Sequence, residues 1–326
     1  MSTVTVSDTP FVGSDRLLVG IVLSVLTFWL FAQSVINVVP AMKSSLDISL
    51  ETLTLAVSLS ALFSGCFVVA SGGLADKFGR MRMTTLGLGL SIIGSAMLVL
   101  AQGPGLFLAG RVLQGLSAAC IMPATLALIK TWYQGRARQR AVSFWVIGSW
   151  GGSGLCSFVG GAIATGLGWR WIFVFSIAVA LLALFLLRGT PESRSASASQ
   201  HKLDVGGLLS LIVGLVLVNL FISKGHGWGW ASPLSLIMLA GALIAGAVFI
   251  RSGLRKGEAA LIDFALFRNR AYGAAVLSNF LLNGAIGTMM IASIWLQQGH
   301  HLTPLESGMM TLGYLGTVVV MIRVGE

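Results

Sequence analysis

Apolar residues gather in ten long stretches of this chain, at about 17–39, 53–71, 84–101, 105–129, 141–165, 170–187, 205–223, 232–250, 271–296 and 306–322. Each meets or nearly meets the roughly 20 residues that a helix needs to cross a bilayer. Charged and helix-breaking residues fall between the stretches. The pattern predicts an all-α, polytopic membrane protein of about ten transmembrane helices.

Two of the polar connections are long. Arg188 to Asp204 reads R-G-T-P-E-S-R-S-A-S-A-S-Q-H-K-L-D, Ser-rich and helix-breaking, and predicts a flexible linker. Arg251 to Arg270 contains L-I-D-F-A-L-F, a candidate amphipathic segment lying at the interface. The predicted organisation is a six-helix bundle over 1–190, a linker over 191–204, a helix pair over 205–251, a second linker over 252–270, and the start of another bundle over 271–326.

Charge sets the orientation. Of 21 Lys and Arg, 17 fall on one side if the first helix starts there, from Arg16 through Lys77, Arg80 and Arg82 to Arg323. Lys43, Arg170 and Lys224 fall on the other, and Arg111 lies within the fourth stretch. The positive-inside rule then places the N-terminus in the cytoplasm. The first apolar run is too long for the h-region of a cleaved signal, so it is expected to stay in the membrane.

Composition narrows the function. The chain has 326 residues, is 56% hydrophobic and 10% charged, and has a mean hydropathy of +0.89. Soluble domains of this size are not so apolar. A net charge of +10 raises the question of nucleic acid, but the cations sit between apolar runs and not on one arm, so no nucleic-acid partner is expected. Cys66, Cys120 and Cys156 lie in apolar stretches without C-x-x-C spacing, and the four histidines lie in connections without metal-type partners. No metal, cofactor, catalytic nucleophile or catalytic base is expected, and an enzyme is the least favoured class.

Four regions carry candidate chemistry. Gly72 to Met83, G-G-L-A-D-K-F-G-R-M-R-M, is a charged hinge between two apolar runs; Gly72, Gly73 and Gly79 permit a tight path, and Asp76 and Arg80 are spaced to pair at i,i+4. An ordinary positively charged turn is the other reading. In the fourth stretch a buried arginine is costly unless solvated or paired, so Arg111, with Gln114 on the same face, is expected to meet a wet cavity or else to snorkel outward. Trp29, Gln33 and Asn37 form one stripe of the first helix, suited to a cavity or to interhelical packing. In the fifth, Gly148, Gly152, Gly160 and Gly161 permit close helix approach. The ninth stretch adds Asn279, Asn283, Thr288, Met289 and Met290, and the tenth Thr311 and Tyr314, residues that suit a drug site or plain lipid and core contacts.

These motifs resemble a known family. G-x-L-A-D-K-x-G-R is similar to the loop between helices 2 and 3 of the major facilitator superfamily, a cytoplasmic latch there, and R-x-x-Q-G at Arg111 resembles its helix 4 motif, whose arginine is linked to coupling. G-W-R-W-I-F at 168–173, G-T-P-E at 189–192 and a six-plus-two helix layout resemble the fourteen-helix drug:proton antiporters. By that resemblance the chain lacks the last four helices, which makes a fragment or an interrupted gene the expectation. Two departures stand out. Ala32 stands where many relatives carry an aspartate in L-D-x-T-x-V-N-x-x-L-P, and Cys156-Ser157 replaces the Gly-Pro of G-P-x-x-G-G, which leaves the proline kink unsupported.

The resemblance implies export of small-molecule drugs, quinolones among them, from the bacterial cell membrane by proton antiport with alternating access, with protons and the lipid bilayer as further partners. None of the eleven carboxylates falls mid-helix, where burial would raise a pKa for proton loading. That motivates one alternative, a facilitator or narrow-specificity exporter not driven by protons; a truncated, non-transporting remnant is another.

Overall fold

The computed structural model describes residues 11–36, 38–46, 48–195, 204–300 and 302–310, with 312–313, 316–317 and 320. Twelve α-helices can be named among them. They are α1 (Asp15–Ile36), α2 (Val39–Leu46), α3 (Leu50–Phe78), α4 (Arg80–Leu100), α5 (Pro104–Trp132), α6 (Gly135–Val146), α7 (Gly152–Gly166), α8 (Arg170–Leu187), α9 (Val205–Trp228), α10 (Pro233–Lys256), α11 (Arg270–Gly299) and α12 (Pro304–Met310). Among the described residues eight segments, counting α6 and α7 as one, are long and apolar enough to cross a membrane by length and composition.

The starts are set by local chemistry. The Ser49 hydroxyl accepts from Thr52 N at 3.2 Å to cap α3, Asp204 accepts from Gly207 N at 2.8 Å to cap α9, and Ser232 accepts from Ser235 N at 3.3 Å to cap α10. Pro104 and Pro233 open α5 and α10, where a missing N–H costs nothing. Helices α3 and α10 run several residues past the apolar stretches, to Phe78 and Lys256, because Ala, Leu, Lys and Arg there are good helix formers. The short α2 was not signalled by the sequence.

Helices α1, α3, α4, α5, α7 and α8 form one bundle. At one end Phe31, Met42, Leu53, Phe107, Trp169 and Phe173 are buried together. At the other, Leu17, Ile21, Leu88, Ile121, Leu128 and Ala180 make a second core under the hinge. The α9–α10 pair leans on α3, where Ser58 Oγ donates to Asn219 Oδ1 at 3.4 Å and Lys224 pairs with Glu51 at 3.3 Å. Leucine and isoleucine cover its outer face, with Ile222, Ile237, Leu243 and Leu254 exposed. Such a face is stable against lipid and unstable against water.

The loop ends agree on one polarity. The hinge, the turn at Tyr133, the segment after α8, and the Asp204–Lys256 contact lie at one end of the bundle. There Tyr133 Oη donates to Ser14 O at 2.7 Å, and Arg80 N donates to Ser193 O at 3.0 Å. Glu51, Lys224 and Arg170 mark the opposite end, where the Arg170 guanidinium lies 4.3 Å from the Trp169 ring centroid. The predicted linker over 252–270 contains two 3-10 turns, Gly257–Ala259 and Phe264–Arg268, capped at the second by Asp263.

Candidate functional site

Among the described residues Arg111 is the largest fully buried side chain, 1% exposed. Its Nη1 donates to Phe31 O on α1 at 2.7 Å and to Gln114 Oε1 at 2.9 Å, and its Nε donates to Ala56 O on α3 at 3.1 Å. Gln114 passes the link on, its Nε2 donating to Ser95 Oγ on α4 at 3.2 Å. Ser60 Oγ on α3 donates back to Arg111 O at 3.0 Å. One R-x-x-Q unit thereby ties α5 to α1, α3 and α4. This corrects both sequence expectations for Arg111: the guanidinium neither snorkels outward nor opens on water, because protein oxygens meet it on three sides. No described carboxylate lies within 4 Å of it, so carbonyl dipoles and an amide oxygen solvate the charge.

The α1–α7 seam is built from glycines. A Cβ on Gly148 would lie 3.1 Å from Val22 Cγ1, and one on Gly152 would lie 2.7 Å from Leu26 Cδ2 and 3.3 Å from Trp29 Cδ1. A Cβ on Gly160 would collide with Ser34. These pairs keep one sequence offset, as expected for two parallel helices meeting along i,i+4 rows. Ser34 Oγ donates to Cys156 O at 2.6 Å, fastening the seam. Gly161 faces the other way, where a Cβ would collide with Pro304 O of α12, while one on Gly308 would come within 2.8 Å of Ser157 O. The seam therefore joins the six-helix bundle to the segment after α11.

The helix carrying these glycines is not regular. A π-helical turn, Ile147–Gly151, interrupts it between α6 and α7. The irregularity comes without proline, at G-S-W-G, one turn before the Cys156-Ser157 pair at which the sequence left a kink unsupported. Such π turns recur at functional sites. Trp29 packs beside this region, and its indole Nε1 is buried with no hydrogen-bond partner among the described residues.

The hinge is narrower than the sequence suggested. Gly72 and Gly73 lie inside α3, and a Cβ on Gly73 would meet nothing within 4 Å. The break falls at Gly79 alone, whose φ of 126° is reserved for glycine. Arg80 closes over it: Nε and Nη2 donate to Asp76 Oδ1 at 3.0 and 2.8 Å, and Nη1 donates to Thr131 Oγ1 on α5. Glu192 lies on the other side. Its two oxygens accept from Met81 N at 2.9 Å and Arg82 N at 3.0 Å, at the N-terminus of α4. Ser195 N donates to Asp76 O at 3.0 Å. So the first part of the expected flexible linker, through Ser195, is docked on the hinge; residues 196–203 lie outside the described set.

The other predicted residues are scattered. Asn279 and Asn283 lie exposed on α11, and Asn283 Nδ2 donates to Asn279 O at 2.8 Å. Asn37, Thr311 and Tyr314 lie outside the described residues, as do the side chains of Gln33, Met289 and Met290. Glu192 is the residue that spacing alone missed; its G-T-P-E context was its one signal.

The pattern that defines the Major Facilitator Superfamily matches residues 17–326. The quinolone resistance protein NorB of Staphylococcus aureus (strain MRSA252) is 52% identical over 316 residues, which cover 97% of this chain and 68% of that protein. The protein of the same name from strain JH9 gives the same figures. Among solved structures, a peptide transporter POT in complex with sulfate superposes with a TM-score of 0.51 at 17% identity, covering 74% of this chain and 52% of that one. A bacterial homolog of the human lysosomal transporter Spinster, inward-facing and occupied, gives 0.50 at 18% identity, covering 94% and 74%. At those identities the two structures speak for the fold alone.

Proposed function

Because the chain belongs to the major facilitator superfamily, we propose that it is a multidrug efflux transporter, exporting hydrophobic drugs such as quinolones by alternating access driven by proton influx. The observation that carries this reading is the 52% identity to the quinolone resistance protein NorB along 97% of the chain. The N-terminus lies in the cytoplasm of a bacterial cell, as the excess of Lys and Arg at the hinge end implies.

In this fold substrate binds near the bilayer midplane between two bundles that rock about it. The first bundle would supply Trp29, Gln33 and Asn37 to that path and the start of the second Asn279 and Asn283, while Arg111 and Gln114, both fully buried, act behind it by holding the first bundle together. Arg111 moves α1, α3, α4 and α5 as one body, since any relative shift would strip a buried cation of its acceptors. Rocking falls instead on the glycine seam: Gly148 and Gly152 let α7 slide on α1, and Gly160 and Gly161 let it lie against both halves. The gate at Gly72, Asp76, Gly79 and Arg80 holds the cytoplasmic side and releases it.

The test is efflux of ethidium and norfloxacin from pump-deficient cells expressing this chain, with and without a protonophore, beside cells expressing the S. aureus relative. Energised efflux that the protonophore abolishes supports the reading. Efflux from the relative and none from this chain refutes it.

One observation favours a second reading, a facilitator not driven by protons. Every described carboxylate sits at a helix end or in a connection: Asp15, Glu51 and Glu306 in first turns, Asp204 and Asp263 as caps, Asp76 and Glu192 at the hinge. Transport stimulated by an imposed pH gradient counts against it.

A further inference from the structure

At the hinge end of α10 the helix carries an amphiphilic stripe that the transport reading does not use. Ile244, Val248, Arg251 and Arg255 recur at i, i+4, i+7 and i+11, one face of a helix. Ile244 and Val248 are 65% and 52% exposed, and belong to the leucine- and isoleucine-rich outer surface of the α9–α10 pair. Above them lies a pocket of about 300 Å³ lined by Val248, Arg251, Ser252, Arg255 and Lys256.

Its charges are largely unspent. Lys256 is held by Asp204, its Nζ donating to Oδ1 at 2.6 Å, so that cation is fixed at the pocket rim and half-compensated. Arg251 and Arg255 are exposed, and neither has a described carboxylate within 4 Å. The Asp204 carboxylate is itself engaged elsewhere, accepting also from Gly207 N at 2.8 Å and Leu261 N at 3.1 Å. Two guanidinium groups beside a serine hydroxyl thus stand over an apolar strip that faces lipid. A phosphodiester is matched by guanidinium forks, and an acyl chain by the strip below.

We propose that this pocket binds an anionic phospholipid, its headgroup phosphate between Arg251 and Arg255 with Ser252 and Lys256 beside it, and one acyl chain along Val248 and Ile244. A soluble phosphate would use the cations but not the strip. The lipid fixes the α9–α10 pair in the leaflet on the hinge side, and its binding is independent of whether the chain exports drugs. Basic pockets at helix ends bind such headgroups generally, each cation near the surface strengthening the attraction.

The experiment is native mass spectrometry of the purified chain in detergent, titrated with phosphatidylglycerol and, separately, phosphatidylcholine. The variants are R251Q/R255Q, V248N, and as a charge-matched control R136Q/R138Q on α6 at the same end. Size-exclusion elution matching the unmodified chain establishes that each variant is folded. Phosphatidylglycerol binding that falls roughly 30-fold in R251Q/R255Q, falls also in V248N, and persists in R136Q/R138Q supports the site. Equal loss in the two double variants means diffuse surface charge and overturns it. Displacement of the lipid by equimolar glycerol phosphate, or undiminished binding in V248N, assigns the pocket to a soluble phosphate and overturns the lipid. Because the readout needs no transport, a chain that fails to export drugs leaves the result intact.

Discussion

Arg111 Nη1 donates to Phe31 O across 2.7 Å, joining a charged side chain of α5 to the backbone of α1 inside the bundle. Phe31 O belongs to helical backbone, so losing the guanidinium strips that carbonyl of an extra donor only. Keeping the charge while losing the fork is worse: a lysine ammonium cannot reach Phe31 O, Ala56 O and Gln114 Oε1 together. R111K is therefore expected to be less stable than R111M, by on the order of 3 kcal/mol for an undersatisfied buried cation. Thermal midpoints in detergent check the ranking, with R111K melting several degrees below R111M. Both variants are expected to lose most norfloxacin efflux. R111K at or above R111M would mean that water, and not carbonyls, solvates the charge.

The Gly160–Ser34 contact predicts an asymmetric pair of outcomes. G160A places a methyl group on Ser34 and should cost about 1–3 kcal/mol as an overpacked seam. G73A, where nothing lies within 4 Å, should be neutral or stabilise α3 by up to about 1 kcal/mol. S34G/G160A relieves the collision but forfeits the 2.6 Å bond to Cys156 O, so its melting point should recover about half the loss. A double variant no better than G160A would place the strain elsewhere.

Much of this was legible beforehand, for identifiable reasons. Membrane spans announce themselves because lipid demands long apolar helices, and the Asp76–Arg80 and Arg111–Gln114 contacts follow from i,i+4 and i,i+3 spacing. What could not be read is where Arg111 finds its other acceptors. Phe31 O and Ala56 O are backbone oxygens, which leave no mark in residue type. The π turn at Ile147–Gly151 was hidden likewise, since it needs no proline. Glu192 returns to Met81 from 111 residues away, a separation over which periodicity carries no information. The linker looked free because serine and proline break helices, a local property that does not forbid docking.

Glu192 and Gly79 are predicted to fail separately. E192A removes the acceptor for Met81 N and Arg82 N and should cost about 1 kcal/mol, as loss of a helix cap does. It should also raise the labelling rate of a cysteine placed at the half-buried Met81, because the segment after α8 is no longer held against the start of α4. G79A suffers twice, from φ of 126° and from collision with Glu192. G79A/E192A removes the collision and keeps the backbone strain of about 1–3 kcal/mol. Its melting point is therefore expected below that of E192A alone. Equality of the two would show that backbone angle at this hinge carries no cost.

Asp204 gives the pH dependence a sign. Burial works to raise its carboxyl, but the Lys256 ammonium and the Gly207 and Leu261 amides outweigh it and hold the group below its ordinary value. A carboxylate depressed in the fold contributes stability that is fully present above its unfolded value, about 3.9, and is lost as pH falls through the folded one. The melting point of the unmodified chain should exceed that of D204N by a constant margin between pH 5 and 8. Below about pH 4 the margin should narrow, as protonation releases Lys256. The α9–α10 pair is where the change should register first, because the same carboxylate caps α9 and receives the last residue of α10. Hydrogen exchange at Gly207 and Leu261 amides reports it directly: faster exchange in D204N at neutral pH, with the two chains converging in acid. A margin that widens in acid would reverse the sign and assign the stabilisation to a group other than Asp204.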